Sequence, residues 1–447
     1  MFHSTHVFTG ETICRRPAQS YIEFTDELNR LQTLQQTFAQ SSITERTALL
    51  QQFADSLTQN QERLAEMVCE EVGRCLHECR AEISKSIELI RYYVRLAPKL
   101  LAHKTIATQA SLSQVRFEPL GVVLAVMPWN YPVWQILRFA IPALCAGNAC
   151  AVKPAPSIAR VSETLFDLVP KGLPLIGAWL SHEDTLKAIE DTDAMAFTGS
   201  THTGRLLAAH AGRHLKKTVL ELGGSNPFII LPDADLQRAA IDACYSRFRD
   251  AGQSCNAAKR IIITQDIAEQ FIPLFLAECA KLQTGNPKDP NTTLAPLHRQ
   301  DLRQTVHEQV QDAVAHGAQC LSGGYIPEGE SWFYPATVLD QVNPNCRVWH
   351  EEVFGPVAMI LRADNPDHAV TLANDTPFGL GACIYTADTA NAWKYAEKIQ
   401  AGSVFINRHT SSDLRLPFGG VKASGYGREL SEFGLYEFVN VKTYWQK

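Results

Sequence analysis

Short apolar runs alternate with stretches of helical period over most of this chain, and that alternation limits its possible folds more than any other feature. Val122–Val126 is a continuous apolar run, a helical pattern follows over 134–144, and a second run at 149–152 delivers Lys153. Helical spacing returns near 158–168 and 186–189. An apolar run follows at 194–197, a helix opens at Thr201, and a run at 217–222 closes the series. Strands joined through helices must be parallel, with helices covering both faces of their sheet. A second series begins at Asn226-Pro227-Phe228-Ile229-Ile230 and runs to about Phe418, with a helix over 301–316 and strands near 357–361 and 404–406. The expected fold is α/β, with two doubly wound domains.

The flanks read differently. Residues 1–43 carry little pattern. Over 44–98 Leu49, Leu50, Phe53 and Leu57, then Ile83, Ile87, Ile90 and Val94, recur at helical steps, and Pro98 is expected to stop the run. Residues 104–119 read as extended, and the tail 436–445 alternates like an edge strand.

Composition narrows the function. The chain of 447 residues is 45% hydrophobic and 20% charged, enough for more than one core. Its net charge of −6 is spread without blocks, and no basic tract points to nucleic acid. No stretch reaches the length of a membrane span, and the polar residues 1–20 lack the apolar middle of a secretion signal. Twelve cysteines form no disulfide framework in a chain of this size. Cys69, Cys75, Cys79 and His77 contain no CxxC pair and sit in a charge-rich helical stretch, which favours a structural helix over a metal site. A reducing, cytoplasmic protein is expected, without membrane or nucleic-acid partners.

One cysteine stands apart. Phe248-Arg249-Asp250-Ala251-Gly252-Gln253-Ser254-Cys255 places a thiol after a small polar loop, between a helical stretch at 242–247 and an apolar run at 260–263. A thiol on such a turn can be reached by a substrate, whereas a cysteine chosen blindly is usually one more small buried residue.

Four motifs in register lift Cys255 above that bland reading. Pro128-Trp129-Asn130-Tyr131-Pro132, Leu220-Glu221-Leu222-Gly223-Gly224, Gly252-Gln253-Ser254-Cys255 and Glu351-Glu352-Val353-Phe354-Gly355-Pro356 resemble, in order, signatures of the NAD(P)-dependent aldehyde dehydrogenases. The resemblance runs from about Thr44 to the C-terminus and is nearest to the succinate-semialdehyde dehydrogenases. It implies two Rossmann-like domains: an NAD(P)-binding one over 1–105 and 121–222, and a catalytic one over 223–419. It also implies an oligomerisation arm of β-strands over 106–120 and 425–447, pairing with a neighbouring subunit in a homodimer or homotetramer. A long exposed edge of that kind needs a partner.

The resemblance assigns roles. Cys255 is the nucleophile, Asn130 with the Cys255 N–H the oxyanion donors, and Glu221 the general base. Glu221 also favours water over coenzyme A as acyl acceptor. There is no GxGxxG; the turn Phe197-Thr198-Gly199-Ser200-Thr201 resembles the family's pyrophosphate site, where a helix N-terminus favours phosphate. Trp129, Gly204 and Leu222 join that cofactor set. Lys153 is placed on the adenosine ribose, Glu352 on the nicotinamide ribose and Phe354 beside the nicotinamide. Position 156 is Pro where many NAD-preferring members carry Glu, which removes one barrier to NADP. NAD is the expected cofactor, with NADP open.

The substrate is an aldehyde. Arg138 and Arg249, at the offsets of the succinate-semialdehyde dehydrogenases, are expected to hold an ω-carboxylate, with Ser412 or Ser411 adding a hydroxyl. Either arginine could instead serve a structural ion pair, which leaves a broad-specificity aldehyde dehydrogenase as the alternative. Departures from the family pattern are the short 169–180 segment, Asn256 after the nucleophile, and Arg408-His409.

Overall fold

The computed structural model describes residues 1–329 and 331–447. Two sheets organise it. Six strands run in the order Gly425–Tyr426, Lys217–Glu221, Ala194–Thr198, Val122–Val126, Ala149–Lys153, Leu175–Gly177. All neighbours are parallel except the short first strand, which lies antiparallel to Lys217–Glu221. Chain order reverses between Val122–Val126 and Ala194–Thr198, so a crevice opens there beyond the C-terminal strand ends.

The second sheet has seven strands, in the order Gln319–Ser322, Thr337–Asp340, Val357–Ala363, Ala258–Thr264, Asn226–Ile230, Gly381–Tyr385, Ser403–Ile406. The strands Asn226–Ile230 and Ala258–Thr264 are buried along their whole length, as apolar runs without alternation require. Only Gln319–Ser322 runs antiparallel, at the edge. The apolar side chains of Leu76–Leu100 and Pro132–Cys145 share one core with the six-stranded sheet.

A separate three-stranded sheet joins Lys104–Thr105, Leu112–Pro119 and the C-terminal Val439–Gln446. Of the segment 425–447, only Val439–Gln446 joins this sheet. Residues 425–426 belong to the six-stranded sheet and Ser431–Tyr436 is a helix, so the segment 425–447 is not arm throughout. Leu112, Val441 and Trp445 are exposed on this sheet.

Two further expectations change. Residues 1–43 are well structured, with a hairpin of Phe2–Thr5 and Thr12–Arg16 and a helix Tyr21–Gln40. The helix signal was present: Ser20 and Glu23 form a capping box, and Phe24, Leu28, Leu31 and Phe38 bury one face. Pro98 does not end its helix, which continues to Leu100, because a proline in the last turn costs only one backbone bond. Cys69, Cys75 and Cys79 are buried in or beside the helices Gln61–Val72 and Leu76–Leu100 and form no metal cluster among the described residues. No helix is long and apolar enough to cross a membrane.

Candidate active site

The six-stranded sheet gathers most of the singled-out residues at one edge. Lys153 and Glu221 end their strands, Gly199 and Ser200 follow Ala194–Thr198, and Trp129 and Asn130 follow Val122–Val126. Ser200 caps the helix Thr201–Arg213 by accepting from the Thr203 N–H, so the helix N-terminus faces the crevice edge.

The loop before Cys255 is held in an uncommon conformation. Asp250, Ala251 and Gly252 follow one another at φ of 52°, 51° and 72°. Left-handed backbone is costly for the first two, so the surroundings must enforce it. Asp250 is fixed by Arg74 Nε at 2.5 Å and by the Tyr131 hydroxyl. Its N–H donates to Glu78 Oε1 at 2.8 Å. Arg74 also pairs with Glu82, whose other oxygen accepts from the N–H groups of Val133 and Trp134 at 3.0 and 2.9 Å. Burial alone would raise Asp250, but Arg74 and Arg249 hold it below the usual carboxylate range. A Cβ on Gly252 would lie 2.4 Å from the Gly355 oxygen, which fixes glycine there. Buried Arg247 donates to the carbonyls of Val353, Gly355 and Val357, tying the helix Leu236–Phe248 to the 353–357 loop.

Cys255 sits on the turn after this loop, partly exposed, and lines a cavity of about 250 Å³. Burial pushes its thiol up to about 11; Lys259 and Arg138 oppose this, while Glu352 and Glu221 add to it. The Asn130 amide donates one N–H to the Gln253 carbonyl at 3.0 Å. Its second amide hydrogen is left over. The Cys255 N–H has no carbonyl partner among the described residues. Glu221 is buried with neither oxygen hydrogen-bonded. Burial, then the charge of Glu429, push its carboxyl well above the usual range, against Arg138 and Arg428.

Arg138, Arg249 and Ser412 line the same cavity as Cys255. Arg138 Nε lies against a Glu429 oxygen, its Nη2 has no partner, and its guanidinium sits 4.8 Å from the Phe418 ring centre. Arg249 approaches Asp250 at 3.9 Å and Asn256 Oδ1 at 3.5 Å. Ser412 Oγ accepts from Lys85 Nζ at 2.5 Å. Glu221 and Asn130 are not among the cavity's lining residues; Asn130 is buried and bonds the loop before Cys255 at Gln253.

The aldehyde dehydrogenase family model matches residues 1–444. The chain belongs to the aldehyde dehydrogenase family. It is 40% identical to the succinate semialdehyde dehydrogenase [NAD(P)+] of Escherichia coli K12 over 416 residues, covering 91% of this chain and 89% of that protein. It is 41% identical to succinate-semialdehyde dehydrogenase [NADP(+)] 1 of Mycobacterium tuberculosis H37Rv, covering 98% of each. The crystal structure of succinic semialdehyde dehydrogenase from Streptococcus pyogenes with NADP+ superposes with a TM-score of 0.97 at 31% identity, over 100% of this chain and 99% of that one. This chain is accordingly an NAD(P)-dependent oxidoreductase.

The residues of this aldehyde dehydrogenase fit a dinucleotide. Lys153 Nζ is buried with a single 3.5 Å contact to its neighbour's carbonyl, and burial lowers it to about 8. A buried amine so poorly satisfied is poised for a ligand oxygen. A Cβ on Gly204 would meet Leu222 Cδ2 at 2.4 Å, so the helix after Ser200 packs tightly on the strand end. Trp129 stacks on His298 with ring centres 4.1 Å apart, and Phe354 meets Trp129 edge-on at 5.9 Å.

Several residues that pack around the candidate site carry little signal in the sequence. Lys259 Nζ donates to the carbonyls of Ser254 and Cys255 at 2.9 and 3.0 Å and pairs with Glu352 Oε1 at 2.7 Å. It thus links the nucleophile turn to the acid singled out for the nicotinamide ribose. Its signal was Lys259-Arg260, two charges opening an otherwise apolar strand. Arg74, Arg247 and Lys85 carried no such local signal.

Proposed function

We propose that this dehydrogenase oxidises succinate semialdehyde to succinate. The single observation that carries this reading is the cavity: Cys255 shares about 250 Å³ with Arg138 and Arg249. That space suits a small substrate with an acid at its far end. The names of the relatives above point the same way.

With its proton passed to Glu221 or to water, the Cys255 thiolate attacks the aldehyde carbon, making a hemithioacetal whose oxyanion takes hydrogen bonds from the free Asn130 N–H and the Cys255 N–H. A bound nicotinamide dinucleotide supplies the hydride acceptor. Glu221, once ionised, takes a proton from the water that cleaves the resulting thioester; its raised affinity for protons makes it the stronger base. Lys153, Ser200 and Gly199 would hold the ribose and phosphates, with Trp129, Gly204 and Leu222 shaping that edge. Glu352 would hold the nicotinamide ribose and Phe354 flank the ring. Pro156 leaves no carboxylate at that position to repel a 2′-phosphate, which keeps NADP open beside NAD.

On this reading the six-stranded sheet serves the cofactor, the seven-stranded sheet supplies the nucleophile, and the three-stranded arm pairs with another copy. The twelve free cysteines fit a reducing, cytoplasmic setting. A second reading, broad specificity for uncharged aldehydes, draws support from Arg138 already being paired with Glu429. Initial rates with succinate semialdehyde and with butanal, each against NAD and NADP, separate the two. The acid-aldehyde is expected to have at least a roughly tenfold higher kcat/KM. Equal values for both aldehydes sink the substrate assignment.

A further inference from the structure

The charges around the cavity are unevenly committed. Arg74 is held by Glu82 and Asp250, and Arg138 by Glu429. Arg249 faces Asp250 at 3.9 Å. Lys85, on the helix Leu76–Leu100, lines the same cavity and has no carboxylate within ion-pairing distance among the described residues. Its amine donates to the Ser412 carbonyl at 2.8 Å and to Ser412 Oγ at 2.5 Å, and lies 4.5 Å from the Trp134 ring centre. Two neutral acceptors leave the third N–H of a lysine free. An ammonium held against an aromatic face, without a counter-ion, in a cavity open to substrate is a site for an anion.

Resting on the assignment of an ω-carboxylate aldehyde, we infer that Lys85 is the counter-ion of the substrate carboxylate, with Arg138 and Arg249, each within 4 Å of a protein carboxylate, offering their unpartnered Nη2 and Nε as hydrogen-bonding neighbours. Ser412 then orients Lys85 and need not touch the substrate. The charged and titratable groups around Lys85 are Arg138 on the helix Pro132–Cys145, Arg249 before Cys255, Glu88 on its own helix and Asp413 on the C-terminal loop, with His77, Glu78 and Glu82 of its own helix lining the same cavity. Burial, then Arg138 and Arg249, bring its amine down to about 8. The charge that holds the carboxylate is present below that pH and lost above it. Glu78 titrates in the same window, pushed up to about 8 by burial and Asp250, and its ionisation would repel the same carboxylate.

The readout is the ratio of kcat/KM for succinate semialdehyde to that for butanal, from pH 6.5 to 9.5, so that ionisation of the thiol cancels. In the unaltered enzyme the ratio is expected to be high and to fall above pH 8. Lys85→Met lowers it roughly ten- to hundredfold and flattens its pH dependence. Lys85→Arg keeps the ratio and removes the fall, since guanidinium stays charged. Glu78→Gln retains the fall. A ratio near one in the unaltered enzyme overturns the substrate assignment and this inference with it. A high ratio that survives Lys85→Met within twofold, or a fall that Lys85→Arg leaves in place or Glu78→Gln abolishes, overturns the role of Lys85 alone. Should Lys85→Met not fold, the Lys85→Arg and Glu78→Gln profiles decide.

Discussion

The wall behind the Cys255 loop is buried, as are Glu221 and Asn130 at the end singled out for the reaction, yet the two regions treat polarity in opposite ways. In the wall, Arg74, Glu82, Asp250 and Tyr131 answer one another and hold two non-glycine residues in left-handed backbone. At the reacting end, neither Glu221 oxygen has a partner and Cys255 keeps its proton up to about 11. A satisfied network gives rigidity, and an unsatisfied group keeps its chemistry available for something that arrives later. The molecule spends ordering on the frame and leaves the reactive atoms uncommitted.

Breaking the uncommitted end should have the largest effect. Glu221→Gln is expected to lower steady-state kcat by roughly 10²–10⁴-fold, the range for a general base. A pre-steady-state burst of reduced cofactor, read at 340 nm, should survive if Glu221 serves only thioester cleavage. Loss of the burst means that it also takes the Cys255 proton; an unchanged kcat rules out either role.

Breaking the frame should register first in stability. Arg74→Met removes the cation shared by Glu82 and Asp250, and stripping a buried pair of one partner costs about 3–5 kcal/mol. Urea unfolding would measure it. A loss below about 1 kcal/mol would mean that the wall is not what holds the loop.

Lys259 joins the two regions, and its removal sharpens the contrast by a smaller amount. Lys259→Met takes away the largest influence lowering the Cys255 thiol. Iodoacetamide alkylation of Cys255 should be slower by about tenfold at pH 8, because fewer thiols are ionised at any pH below the midpoint. In the unaltered enzyme the alkylation rate should climb with pH toward 11. A plateau near pH 8 would contradict the burial-dominated thiol.

The sequence was legible wherever the physics is local. Apolar runs without alternation marked the buried parallel strands, since a strand covered on both faces has no polar side. The turn Gly252-Gln253-Ser254-Cys255 and the strand ends at Lys153 and Glu221 were readable for a similar reason: punctuation residues stop an element at a fixed place. The N-terminal helix had the same kind of local signal in Ser20, Glu23 and its apolar stripe, but the weak pattern of residues 1–43 as a whole concealed it.

What the chain order could not give was the pairing of charges far apart in sequence. Arg74 meets Asp250 and Arg138 meets Glu429 only because separate elements pack, and a buried charge takes whichever opposite charge the packing offers. By itself the sequence determined two parallel sheets, a presented thiol and a set of arginines near it. Only the tertiary structure decided which of the cations stand beside a carboxylate and which, like Lys85, meet none among the described residues, because net charge in a cavity is a sum over neighbours that no single segment contains.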